Sequence, residues 1–120
     1  MQVLAAQELH NLAMNIVGKQ LEADGFEFMA VNSELRKNPQ FVCTKEKKMR
    51  FIVVKAIQYP GDPKDMDFFM SDLNKMRDHA MKFEADTFYA AVGLVNASDY
   101  NLPVYLNEEY IVDYEGLIKI

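Results

Sequence analysis

The sequence predicts an α/β domain, in the broad sense that includes α+β. The expected architecture is a mixed sheet flanked by helices, in the order α-β-β-β-α-β, with a β extension at the end. Three observations lead there. Residues 5–23 carry apolar side chains at helical spacing. Phe51-Ile52-Val53-Val54 is a continuous apolar run, which suits a strand covered on both faces. A second helical stripe separates that run from another, Phe88 to Val95, so a β-α-β step joins two parallel strands.

The first helix rests on Leu9, Leu12, Ala13, Ile16, Val17 and Leu21, which recur three and four apart. Asp24-Gly25 ends it. Residues 26–30 alternate as a half-buried strand does, and Asn32-Ser33 with Asn38-Pro39 is loop chemistry. A second strand, residues 40–44, leads through the four charged residues 45–48 into the third, residues 50–57. Tyr59-Pro60-Gly61-Asp62-Pro63 breaks the chain. The second helix spans residues 65–85, with Phe69, Leu73, Met76, Ala80 and Phe83 as its stripe and Asp65 and Asp67 at its start. Its methionines (Met66, Met70, Met76, Met81) read as core and gap-filling. The fourth strand covers residues 87–95, and two short strands follow at 104–106 and 110–114, with Pro103 suited to open an edge strand.

The chain has 120 residues, half of them hydrophobic and 26% charged, the composition of one folded domain rather than of disorder. No signal peptide and no membrane span is expected, and the cytoplasm is the default compartment. The single cysteine, Cys43, has no internal disulfide partner and reads as a buried strand residue. The net charge is −5, yet residues 35–55 hold seven cations against Glu46 alone. An acidic chain with one basic hairpin should bind nucleic acid weakly at most. Gly-rich phosphate loops, CxxC and HExxH are all missing. His10 and His79 read as surface or boundary residues without a catalytic role.

One stretch is more specific. Asn38-Pro39-Gln40-Phe41-Val42-Cys43 is followed by a charged hairpin and then Arg50-Phe51-Ile52-Val53-Val54-Lys55-Ala56. Preceded by a helix and Gly25-Phe26-Glu27-Phe28, this resembles the PD-(D/E)xK, restriction-endonuclease-like nuclease superfamily. The resemblance covers residues 5–96 as a nuclease-like core and leaves 97–120 as a C-terminal extension. It implies an acid at position 40, an acid at 53 and a lysine at 55. The two acids would hold Mg²⁺, and the metal and lysine would stabilise charge on the phosphate. Here those positions are Gln40, Val53 and Lys55, so only the lysine matches and the implied active site is degenerate. No catalytic residue, metal site or cofactor is therefore expected.

Three readings of Lys55 stay open: a structural ion pair, with Glu8, Glu22 or Glu34 as partner; a contact to an anionic ligand; and catalysis. Glu34 and Glu27 are the acids that a relocated metal site would draw on. Three functions follow. The expected one is a non-catalytic nuclease-fold protein acting as an interaction module. The alternatives are a metal-dependent nuclease with relocated acids and a binder of small anions in the vestigial cleft around Lys55. The C-terminal segment 103–120 is rich in β-formers, with Tyr105, Tyr110 and Tyr114 among them. It should pair with the sheet or with a second chain, so a homodimer or another protein is the expected partner.

Overall fold

All 120 residues are described by the structure, a computed structural model. Helix α1 (Ala6–Ala23) opens the fold and buries Leu9, His10, Ala13, Met14, Val17 and Leu21 along one stripe. The Glu8 carboxylate accepts the Ala5 N–H at 2.9 Å, which satisfies one of the free donors at the helix start. Gly25, at φ +84°, ends the helix in a conformation that suits glycine.

The sheet is built from β1 (Glu27–Val31), β2 (Phe41–Lys45), β3 (Lys48–Gln58), β4 (Asp86–Asn96), β5 (Tyr110–Asp113) and β6 (Ile118–Lys119). Its order is β1-β2-β3-β4-β5, with β6 also paired to β4. The first three strands form an antiparallel meander. β3 and β4 run parallel in unbroken register from Arg50–Asp86 to Gln58–Leu94. Between them the chain passes through a 3-10 turn (Asp67–Phe69) and α2 (Met70–Met81). α1 covers one face, over Ile52, Val54, Ala90, Val92 and Leu94. α2 covers the other, where Leu73 packs with Val53, Tyr89 and Ala91. The result is a mixed α+β architecture, a mixed sheet flanked by helices, as the alternation of stripes and apolar runs predicts.

Several expectations change. β1 is exposed along its whole length rather than half-buried, because it is the outermost strand and carries a register shift between Phe28 and Ala30. The hairpin loop is two residues, not four: Glu46 and Lys47 both have positive φ, the geometry that joins antiparallel strands most tightly. The second helix is shorter than 65–85, and Phe83 lies beyond its end, half-exposed against Phe51 with ring centroids 5.8 Å apart. Met81 faces outward, whereas Met66, Met70 and Met76 pack against the core as expected. Residues 104–106 form no strand. Tyr105 instead makes one bridge to Val3, and Leu4 N–H donates to Val104 O at 3.0 Å. Residues 110–113 and 118–119 do pair within the chain, both on the edge of β4 that β3 leaves open. No helix is long and apolar enough to cross a membrane.

Candidate functional site

The three motif positions meet where β2 begins beside the middle of β3. Gln40 directly precedes β2, and its backbone N–H donates to Ile52 O at 3.0 Å. Before that point β3 loses its neighbour on this edge, and the Val54 N–H would have no backbone acceptor. The Gln40 side chain supplies one: Val54 N–H donates to Gln40 Oε1 at 2.7 Å. Gln40 Nε2 in turn donates to Asn38 Oδ1 at 2.8 Å and to Lys37 O at 3.3 Å. The residue is 0% exposed. An amide is the group that fits, because it both accepts from β3 and donates to the loop.

Val53 is equally built in, 1% exposed against Leu73, Tyr89 and Ala91. Lys55 lies two residues on, half-buried, with its Nζ 5.4 Å from the centre of the Phe69 ring. Burial pulls its pKa below the ordinary lysine value; Asp72 opposes that pull and Arg36 adds to it. Lys55 makes no salt bridge, since the ion pairs of the fold involve Lys48, Lys64, Arg77 and Lys119. The expected pair with Glu8, Glu22 or Glu34 is not formed, and Asp72 on α2 is the carboxylate whose charge acts on it. Helix α2 packs over this part of the sheet and brings Asp72 with it. Gln40, Val53 and Lys55 line none of the five main concavities, which run from 220 to 650 Å³.

Of the two candidate acids for a relocated metal site, Glu27 stands apart from Lys55. Glu27 pairs with Thr44, which pairs with Met49. It is thus level with the far end of β3, six residues or ~20 Å along the strand from Lys55. Glu34 is exposed in the loop after β1, its own N–H held by Asn32 Oδ1 at 3.0 Å. No three His, Cys, Asp or Glu side chains converge in a way that could hold a metal ion.

Much of the basic hairpin's charge is engaged at home. Lys45 Nζ sits 5.1 Å from the centre of the Phe26 ring, and the Arg50 guanidinium lies between Phe26 and Phe88 at 5.3 and 5.6 Å. Lys48 faces Asp86 at 3.9 Å, a carboxylate it shares with Lys119 at 3.8 Å.

Sequence reasoning missed His10. It is 1% exposed, not a boundary residue, and neither ring nitrogen has a hydrogen-bond partner. Burial lowers its pKa, and the Lys55 charge lowers it further. The signal was present: His10 shares its helical face with Ala13, Met14, Val17 and Leu21. Cys43 is buried as expected, and burial pushes its thiol up to about 11.

The family described as a domain of unknown function (DUF8840) matches residues 7–120, and the chain belongs to it. No curated protein and no solved structure matches the chain.

Proposed function

We propose that this member of the family is a non-catalytic protein-interaction module, on a core descended from a nuclease-like ancestor of the PD-(D/E)xK kind. The observation that carries the reading is the fate of the two acid positions. Gln40 is a buried clasp between strands and Val53 is core under α2. The order α1-β1-β2-β3-α2-β4 with a parallel β3–β4 pair is the order the resemblance implies. Mg²⁺ at such a site depends on carboxylates, and a neutral amide already bonded to Val54 N–H and the loop supplies none.

The open surface supports a protein partner. Both outer strands are exposed and apolar: Phe28, Met29 and Val31 on β1, and Tyr110, Ile111 and Val112 on β5. Such edges are natural pairing surfaces, and a two-fold dimer is one form their use takes. The basic hairpin, with Lys45 and Arg50 held against Phe26 and Phe88 and Lys48 paired with Asp86, on a chain of net charge −5, leaves nucleic-acid binding weak and salt-sensitive. This reading places the protein in the cytoplasm, with Cys43 as a buried reduced thiol.

The test is incubation of the purified chain with single- and double-stranded DNA and RNA in Mg²⁺ or Mn²⁺. No cleavage is expected. Robust cleavage that Lys55→Ala abolishes overturns the reading and makes Glu34 and Glu27 the next residues to substitute. Sedimentation across a range of concentrations tests the dimer, and a monomer throughout removes it.

A second reading has one observation in its favour. Lys55 makes no salt bridge, has Arg36 as a like charge acting on it, and its own charge acts on the buried His10, whose ring nitrogens have no partners. That is the charge balance of a small-anion site. Titration with inorganic phosphate, followed by the ring resonances of His10, tests it; unmoved resonances dismiss it.

A further inference from the structure

A different part of the molecule is open, preformed and chemically distinctive. The chain leaves the carboxyl ends of the parallel strands β3 and β4 through two loops, and a groove of about 580 Å³ lies between them and β5. In α/β sheets this end of a parallel pair is where ligands commonly dock, and the volume is in the range of ligand pockets. Tyr59, from the loop after β3, and Tyr100, from the loop after β4, lie side by side with ring centroids 5.9 Å apart and planes tilted by 52°. They are 50% and 54% exposed. Two large aromatic rings paired yet half in water are unlike the packed Tyr89 of the same sheet, which is 0% exposed.

The groove is held in shape by close backbone approach. Pro63 rests directly on β4 at Gly93, where a Cβ would stand 2.7 Å from the proline Cγ and 3.1 Å from Asp113 Cβ. Gly61 N–H donates to Gln58 O at 2.7 Å, which closes the turn. The groove and its rim are negative on balance. The ionisable side chains lining the groove are Asp62 and Asp113. The nearby cation, Lys64, is tied to Glu115 at 3.3 Å. Three carboxylates, Asp62, Asp113 and Glu115, thus stand against one lysine whose ammonium is paired with Glu115 and whose backbone N–H donates to Asp62 Oδ1 at 2.9 Å. Ile57, Ile111 and Val112 give the walls an apolar character.

We infer that this groove binds an arginine-bearing apolar segment of a partner protein, with the guanidinium on the Tyr59–Tyr100 pair and facing Asp62 and Asp113, and its aliphatic neighbours against Ile57, Ile111 and Val112. The chemistry is complementary on each count. A planar cation stacks on aromatic faces, two carboxylates offset its charge, and apolar walls take the flanking side chains. The inference rests on the reading of the chain as an interaction module and names the partner's chemistry at one surface.

The test uses the full ¹⁵N-labelled chain and a hexapeptide alternating leucine with arginine, next to the same peptide with citrulline in place of arginine. Expected are shifts concentrated at Tyr59, Gly61, Gly93, Tyr100 and Val112, weakened by added salt and lost with the citrulline peptide. Asp62→Asn with Asp113→Asn should weaken binding about tenfold, and Tyr59→Leu with Tyr100→Leu by a similar factor. The two aspartates are exposed, so their variant tests the inference even if the tyrosine variant fails to fold. Equal binding of the citrulline peptide, shifts that map to β1 instead, or no shift at millimolar peptide overturns the inference. So does self-association that the tyrosine variant abolishes, which would make a second copy the occupant. A silent cleavage assay together with no peptide binding removes this inference alone; cleavage removes the reading beneath it.

Discussion

Gln40→Glu changes one nitrogen to one oxygen and leaves the side-chain volume unchanged, so its effect isolates the hydrogen bonding at the start of β2. The acceptor side survives, since Val54 N–H can still donate to the new carboxyl group. The donor side does not. Asn38 Oδ1 and Lys37 O, at 2.8 and 3.3 Å from Nε2, would face another oxygen. Two lost bonds cost about 1 kcal/mol each, and an acid group enclosed without its full set of partners costs roughly 1 kcal/mol more. The sum is about 3 kcal/mol. At about 2.1 cal/mol/K of unfolding entropy per residue, that lowers Tm by roughly 12 °C. The pH dependence has a defined sign. Burial raises the pKa of the introduced carboxyl in the fold, while in the unfolded chain it ionises near ~4.3. Destabilisation is therefore smallest below that pH, grows as pH rises past it, and levels off above the folded-state pKa. Urea unfolding of both proteins between pH 4 and 8 measures the difference. A loss under ~1 kcal/mol at pH 7, or one equal at every pH, refutes the account of Gln40 as a buried clasp.

His10→Leu should flatten the acid side of the stability profile. The folded-state pKa of His10 lies below its ordinary 6.5, so the native protein loses stability as pH falls below 6.5 and the variant does not; equal slopes in urea unfolding from pH 8 to 5 refute this. Tyr89→Phe should leave stability unchanged or raise it by up to ~1 kcal/mol, since the hydroxyl is buried without a partner; a loss above that in thermal unfolding would mean the hydroxyl is bonded. Truncation before Pro103 removes β5 and β6 and bares the far edge of β4. It should cost several kcal/mol, on the order of a lost strand pair with its buried neighbours, or abolish folding; unchanged stability would mean the segment is dispensable.

The sequence by itself determined the element types. The stripe from Leu9 to Leu21, the runs at 51–54 and 88–95, and the helix between them are local periodicities, set by neighbours along the chain. It also determined that Gln40 and Val53 stand where the resemblance to the PD-(D/E)xK superfamily implies acids, since those residues are simply read. What those residues do instead was decided by tertiary structure, because the partner of the Gln40 side chain is Val54, 14 residues away. The alternation in β1 promised a buried face. Burial depends on what lies above a strand, however, and the two helices cover the middle of the sheet and leave its outermost strand bare. His10 was legible in principle from its place in the α1 stripe; its polarity argued the other way, and packing prevailed. The aromatic groove was not legible. Tyr59, Tyr100 and Asp113 come from three separate segments, and the parallel pairing of β3 with β4 and the return of β5 to Gly93 bring them together. Periodicity tells a residue which way to face, and only the closed sheet decides what it will face.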